Sequence, residues 1–205
     1  MECTLGYKIE GSIKITDPAT GEVLVDKPNA INYETMSMSI AETLSSRGYG
    51  EIYQMAFGNG GASISATGVI TYLPPNVTGL NAALYNQTYS KIVDDTSVFN
   101  TDPTRNKMTV LHTTGKTYTD ILVQCLLDYG EPSGQAAFDN STQTTSDYVF
   151  DELGLLANLG ANSQGDIVTR LITHVIFHPV QKSLNRQIQI DYTIRIQAVT
   201  NQLTI

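Results

Sequence analysis

The cleanest pattern in the chain is its last long run. Ile188, Ile190, Tyr192, Ile194, Ile196 and Ala198 fall on one side; Gln187, Gln189, Asp191, Thr193, Arg195 and Gln197 fall on the other. Alternation with period two over this length predicts a half-buried antiparallel strand at 186–199. A helix over the same residues would carry polar groups on every face. Residues 117–129 repeat the pattern, with Thr119, Ile121, Val123, Cys125, Leu127 and Tyr129 on one face. They pair with a strand at 108–113 across a turn at Gly115. Further strands are expected at 148–157 and 167–177, with a turn at 158–165 between them. Near the start, runs at 8–15 and 22–25 flank Asp17-Pro18-Ala19-Thr20-Gly21. Pro18 presets φ and Gly21 relieves the exit, which predicts a hairpin. Strands at 51–57 and 69–73 flank the glycine turn Gly58-Asn59-Gly60-Gly61, and Pro74-Pro75 stops the second.

Only one segment carries a helical period. At 32–46, Asn32 is a good N-cap and Glu34 lies in the first turn. Met36, Ile40, Ala41 and Leu44 make one apolar face, and Arg47-Gly48 close the helix. Residues 74–107 have no period and read as a long irregular excursion with scattered aromatics. The expected fold is therefore mainly β: one antiparallel β-sandwich domain over 1–205, with a packed α-helix at 32–46 and the excursion at 74–107. Residues 130–147 read as a polar loop.

Composition narrows the function classes. The chain has 205 residues and a net charge of −8, with only 16% charged residues. Thr, Asn, Ser and Gln fill the surface instead. The acidic balance argues against direct contact with nucleic acid. No run reaches 18 apolar residues, so no membrane-spanning helix is expected. The opening residues carry no signal-peptide pattern. Two cysteines, Cys3 and Cys125, are too few for a disulfide framework and fit a reducing cytoplasm.

Each candidate for chemistry has a plainer explanation. Thr114-Gly115-Lys116-Thr117 lacks the phosphate loop's earlier glycine, because Val110 holds that position. His174 and His178 sit in a predicted strand, roughly 13 Å apart, too far to share an ion. His112 is isolated. The paired carboxylates Asp94-Asp95 and Asp151-Glu152 are neighbours in sequence and point to opposite faces of a strand, which suits solvated loops or edges better than acid–base work. Neither a cofactor nor a metal is expected, although Asp94-Asp95 offers oxygens that Ca²⁺ would accept. A phosphate nest at the glycine turn lacks a following helix start.

Several stretches resemble virion proteins of tailed bacteriophages. They are Met55-Ala56-Phe57-Gly58-Asn59-Gly60-Gly61, Ile70-Thr71-Tyr72-Leu73-Pro74-Pro75-Asn76-Val77, Phe150-Asp151-Glu152-Leu153-Gly154-Leu155, and the run from His178 to Arg186. The resemblance runs from about residue 11 to 199 and is nearest to neck or collar proteins of contractile-tailed phages. It implies a non-enzymatic structural protein of the virion, made in the bacterial host cytoplasm. Such a protein forms a homo-oligomeric ring and contacts other neck and tail proteins, with no small-molecule partner. Candidate assembly contacts are Tyr72, Tyr85, Tyr89 and Phe99 of the excursion region, and Arg195 on the outer face of the last strand. The alternatives are a tail-fibre or baseplate module, a glycan-binding sandwich using Tyr72, Tyr85 and Tyr89, and a glycan hydrolase.

Overall fold

The computed structural model describes residues 5–133 and 148–200. Two antiparallel sheets face each other. The first has the order β2 (Val23–Pro28), β1 (Leu5–Thr16), β13 (Ile188–Thr200), β9 (Tyr118–Leu127), β8 (Lys107–Leu111). The second has the order β3 (Ala30–Ile31), β12 (Thr173–Lys182), β10 (Tyr148–Ala161), β4 (Ile52–Gly58), β7 (Gln87–Ile92), and β11 (Ile167–Leu171) also pairs with β10. β5 (Ala62–Ile64) and β6 (Ile70–Tyr72) form a separate two-stranded hairpin that packs against β12. The mainly β sandwich expected from the alternation is the observed fold.

The alternating strands supply the core as their pattern requires. In β13, Ile188, Ile190, Tyr192 and Ile194 are buried beside Val123, Cys125 and Leu127 of β9 and Ile13 and Ile15 of β1. The second sheet answers with Met55, Phe57, Phe150, Leu153, Leu155 and Phe177. Phe150 meets Phe57 and Phe177 edge-on, at 5.5 and 5.8 Å between ring centroids. These are the offset geometries that aromatic quadrupoles favour. β10 is buried on both faces along most of its length, because a second apolar cluster of Ala56, Ala82, Leu84, Leu156 and Leu171 covers its outer side. That double burial is why Leu153-Gly154-Leu155-Leu156 reads as a continuous apolar run.

The helix α1 (Tyr33–Leu44) is capped as expected. The Asn32 side chain accepts from Thr35 N at 3.3 Å and donates to Gly79 O at 2.9 Å. Its buried face is narrower than the sequence period implies. Thr35, Met36 and Ser39 are buried, Ile40 is half-buried, and Ala41 and Leu44 are exposed. Ser39 donates to Gly50 O, tying the helix to the following loop and leaving its last turn off the sheet.

Two segment assignments are corrected. The strand expected at 167–177 is two strands, β11 and β12, separated at Ile172; Leu171 enters the outer cluster and Ile172 the main core. The excursion at 74–107 is not irregular throughout. It contains β7, which pairs with β4 from Gln54↔Ile92 to Gly58↔Gln87. Its sequence, Gln-Thr-Tyr-Ser-Lys-Ile, has no strong alternation because no residue of it is fully buried. Around it, amide side chains replace the missing ladder bonds. Asn100 Nδ2 donates to Asp94 O and Asn106 O, at 3.0 and 2.8 Å, and Asn106 Oδ1 accepts from Leu126 N at 2.9 Å. Of the polar loop expected at 130–147, residues 134–147 lie outside the described residues.

Candidate functional site

The five residues expected to make assembly contacts do not form one patch. Tyr72 ends β6, is 45% exposed, and its hydroxyl lies 3.3 Å from His178 Nδ1. Tyr85 is 42% exposed and donates its hydroxyl to Pro74 O at 2.7 Å, with its ring 5.8 Å from that of His174. Both therefore lie against β12. Tyr89 is half-buried beside Phe57 and Tyr148, at 5.8 and 6.5 Å between ring centroids, so it serves the core. Phe99 is exposed in the turn after β7. Arg195 lies on the outer face of the first sheet. Its guanidinium grips Asp120 with two bonds of 2.7 and 2.8 Å and covers the Tyr118 ring at 4.0 Å. Its charge is already satisfied within the subunit.

A surface that the sequence did not single out is more distinctive. An apolar groove of about 390 Å³ opens between α1 and the first sheet. Met36, Ile40 and Leu44 line one side, and Met108, Val110 and Ile196 the other. Leu44 and Val110 are 81% and 69% exposed on its rim. Large apolar side chains gathered around a groove mark an interaction surface more than scattered exposed ones do. The signal was present as the Met36, Ile40, Leu44 stripe, but a stripe alone does not say whether it faces the chain's own core.

The paired carboxylates are the clearest correction. Asp151 and Glu152 were expected in solvated surroundings; they are buried instead, beside a register shift in β10 between Phe150 and Glu152. Glu152 Oε1 accepts from Gly60 N at 3.0 Å and Asn86 N at 2.8 Å. Its Oε2 accepts from Tyr85 N at 2.9 Å and faces His174 Nε2 at 3.0 Å. Asp151 takes Gly61 N and Ala62 N, each at 2.9 Å. His174 Nδ1 accepts from Asn76 N at 2.8 Å, so the ring proton sits on Nε2 and is donated to Glu152. The glycine turn is thus an anion nest, filled by the protein's own carboxylates. A Cβ on Gly60 would lie 2.8 Å from Asn86 N, so the turn needs glycine to come this close.

This clamp fastens the glycine turn and the segment at 74–86 to β10 and β12. Hydrogen bonds to its oxygens, led by the His174 bond, outweigh burial and hold the Glu152 carboxyl below its usual range. Burial dominates at Asp151 and pushes its carboxyl up to about 6, against the pull of the Gly61 and Ala62 amides. Folded Asp151 holds its proton more tightly than the unfolded chain, whose value is 3.8, so this group costs stability as pH rises from 3.8 to about 6. Asp151→Asn should flatten that part of the profile. Thermal melts between pH 4 and pH 6.5 check this, and an unchanged slope in the variant contradicts it.

The remaining candidates have ordinary surroundings. Burial pushes the Cys125 thiol up to about 12, which removes it as a nucleophile; Cys3 lies outside the described residues. His174 is buried and His178 is exposed on the same strand. His112 sits in the β8–β9 hairpin, where the Gly115 turn has φ +86 as a turn glycine requires. Asp94 is buried rather than solvated and accepts from Thr96 N and Oγ1. Among the described residues, no group of three or more His, Cys, Asp or Glu is placed to hold a metal. No helix among them is long and apolar enough to cross a membrane. Comparison with protein-family models, curated proteins and solved structures found no match.

Proposed function

We propose that this chain is a non-enzymatic structural subunit of a tailed-phage virion. In this reading it assembles as a homo-oligomeric ring at the neck or collar and contacts other neck and tail proteins. The observation that carries the reading is the open apolar groove beside α1. A second copy that covers it would bury Leu44, Val110 and the apolar walls between them. The polar, sparsely charged surface suits broad contacts between rigid subunits. The buried carboxylates also favour a structural role. Both oxygens of each are occupied by donors from the protein itself, so they hold loops rather than move a substrate proton. Three of the four stretches that resemble phage virion proteins contribute to this clamp, with Gly60 and Gly61, Asn76, and Asp151 and Glu152; the fourth begins at His178, which lies 3.3 Å from the Tyr72 hydroxyl.

Electron microscopy of the purified chain tests the reading. Closed rings are expected, and monomers at every concentration would contradict it. A glycan-binding role is the second reading, favoured by the exposed rings of Tyr72 and Tyr85 against β12. Binding on a glycan array that is lost in Tyr72→Ala would favour it over the first.

A further inference from the structure

We propose that His174 is an acid-operated latch on the segment at 74–86. The closed arrangement uses both ring nitrogens of a neutral imidazole. Nδ1 accepts from Asn76 N at 2.8 Å, and Nε2–H donates to Glu152 at 3.0 Å. A second proton can go only on Nδ1, where it would point at the Asn76 N–H. Two donors would then face each other in a fully buried site, so the second proton and the Asn76 bond exclude one another.

The groups around the ring decide which side gives way. From β10, Glu152 offers an acceptor and a counter-charge that tolerate an imidazolium at Nε2. From the segment itself come the Asn76 amide and the Tyr85 ring. Asp151, next to Glu152, is occupied by Gly61 and Ala62. Only the segment side opposes the proton, so the segment is what moves. Its release also frees the Tyr85 and Asn86 amides from Glu152, and lifts Ala82 and Leu84 from the outer cluster. Ala56, Leu156 and Leu171 would then be exposed, a second apolar surface revealed by acid.

Opening takes up one proton, at Nδ1, so each unit of falling pH favours it about tenfold. Amide hydrogen exchange on the intact chain, corrected for intrinsic rates, reads this directly. Between pH 6 and pH 5, protection at Tyr85 and Asn86 should fall about tenfold, while Ile190 and Ile194 in the core stay protected. His174→Gln, which offers one acceptor and one donor at every pH, should abolish the fall. Asp151→Asn should keep it, because Asp151 does not hold this segment. Protection unchanged to pH 5, or a fall that persists in His174→Gln, overturns the latch. If His174→Gln does not fold, the imidazole nitrogen shifts of the wild type decide: protonation at Nδ1 in step with the lost protection supports the latch, and a ring that stays neutral while protection is lost overturns it.

Discussion

Glu152→Gln lowers the melting temperature by roughly 10 °C. The carboxylate receives three backbone N–H groups and the His174 Nε2–H, in a site with no exposure to solvent. The amide replaces one acceptor oxygen with an NH₂ that must face donors. Breaking a buried charged contact and stranding its partners costs about 3–5 kcal/mol. A chain of this size loses about 2–4 °C per kcal/mol, which gives the stated shift. Thermal unfolding followed by circular dichroism at pH 7 measures it. A shift below about 2 °C would mean that the clamp does not fasten the loops as described.

Ile190→Asp has the larger effect and removes the soluble protein altogether. Ile190 has no exposed surface and sits between Ile15 of β1 and Cys125 of β9 in the core. An unpaired carboxylate there costs several kcal/mol, a large share of a domain's net stability of about 5–15 kcal/mol. Arg195→Ala, on the other face of the same strand, should fold with a melting temperature close to the parent's, because its guanidinium is partly exposed and pairs at the surface. Soluble expression and melting of the two variants separate the faces. A soluble, stable Ile190→Asp would contradict the facing of β13.

The contrast between these two sites shows what could be read from the sequence. β13 was legible because one of its faces meets the core and the other meets water, so its side chains had to alternate. β7 was not, because none of its residues is fully buried and each face is half covered. The β11–β12 break at Ile172 was hidden for the opposite reason: Leu171 and Ile172 are both buried, in different clusters, and a run of apolar residues conceals such a bend. The clamp was invisible for a physical reason too. Its acceptors at 151–152 and its donors at 60–62 and 85–86 are far apart in sequence, and the donors are backbone amides, which carry no residue-type signal. Only the crowding of glycines at 58–61 hinted that backbone had to come close there. The groove beside α1 was half legible: the stripe could be read, but not that the last turn of the helix stands away from the sheet.

In the proposed assembly a second copy covers this groove. Leu44 is 81% exposed on its rim, so a polar residue there leaves the subunit's own core intact. Sedimentation velocity of the wild type and Leu44→Asp, with a melting curve for each, is the decisive measurement. The wild type should sediment as a closed oligomer, and Leu44→Asp as a monomer that keeps the β-rich circular dichroism spectrum and a cooperative, somewhat lower melt, because assembly itself stabilises the folded subunit. A monomeric wild type, or a Leu44→Asp oligomer as stable as the parent's, would contradict that assembly.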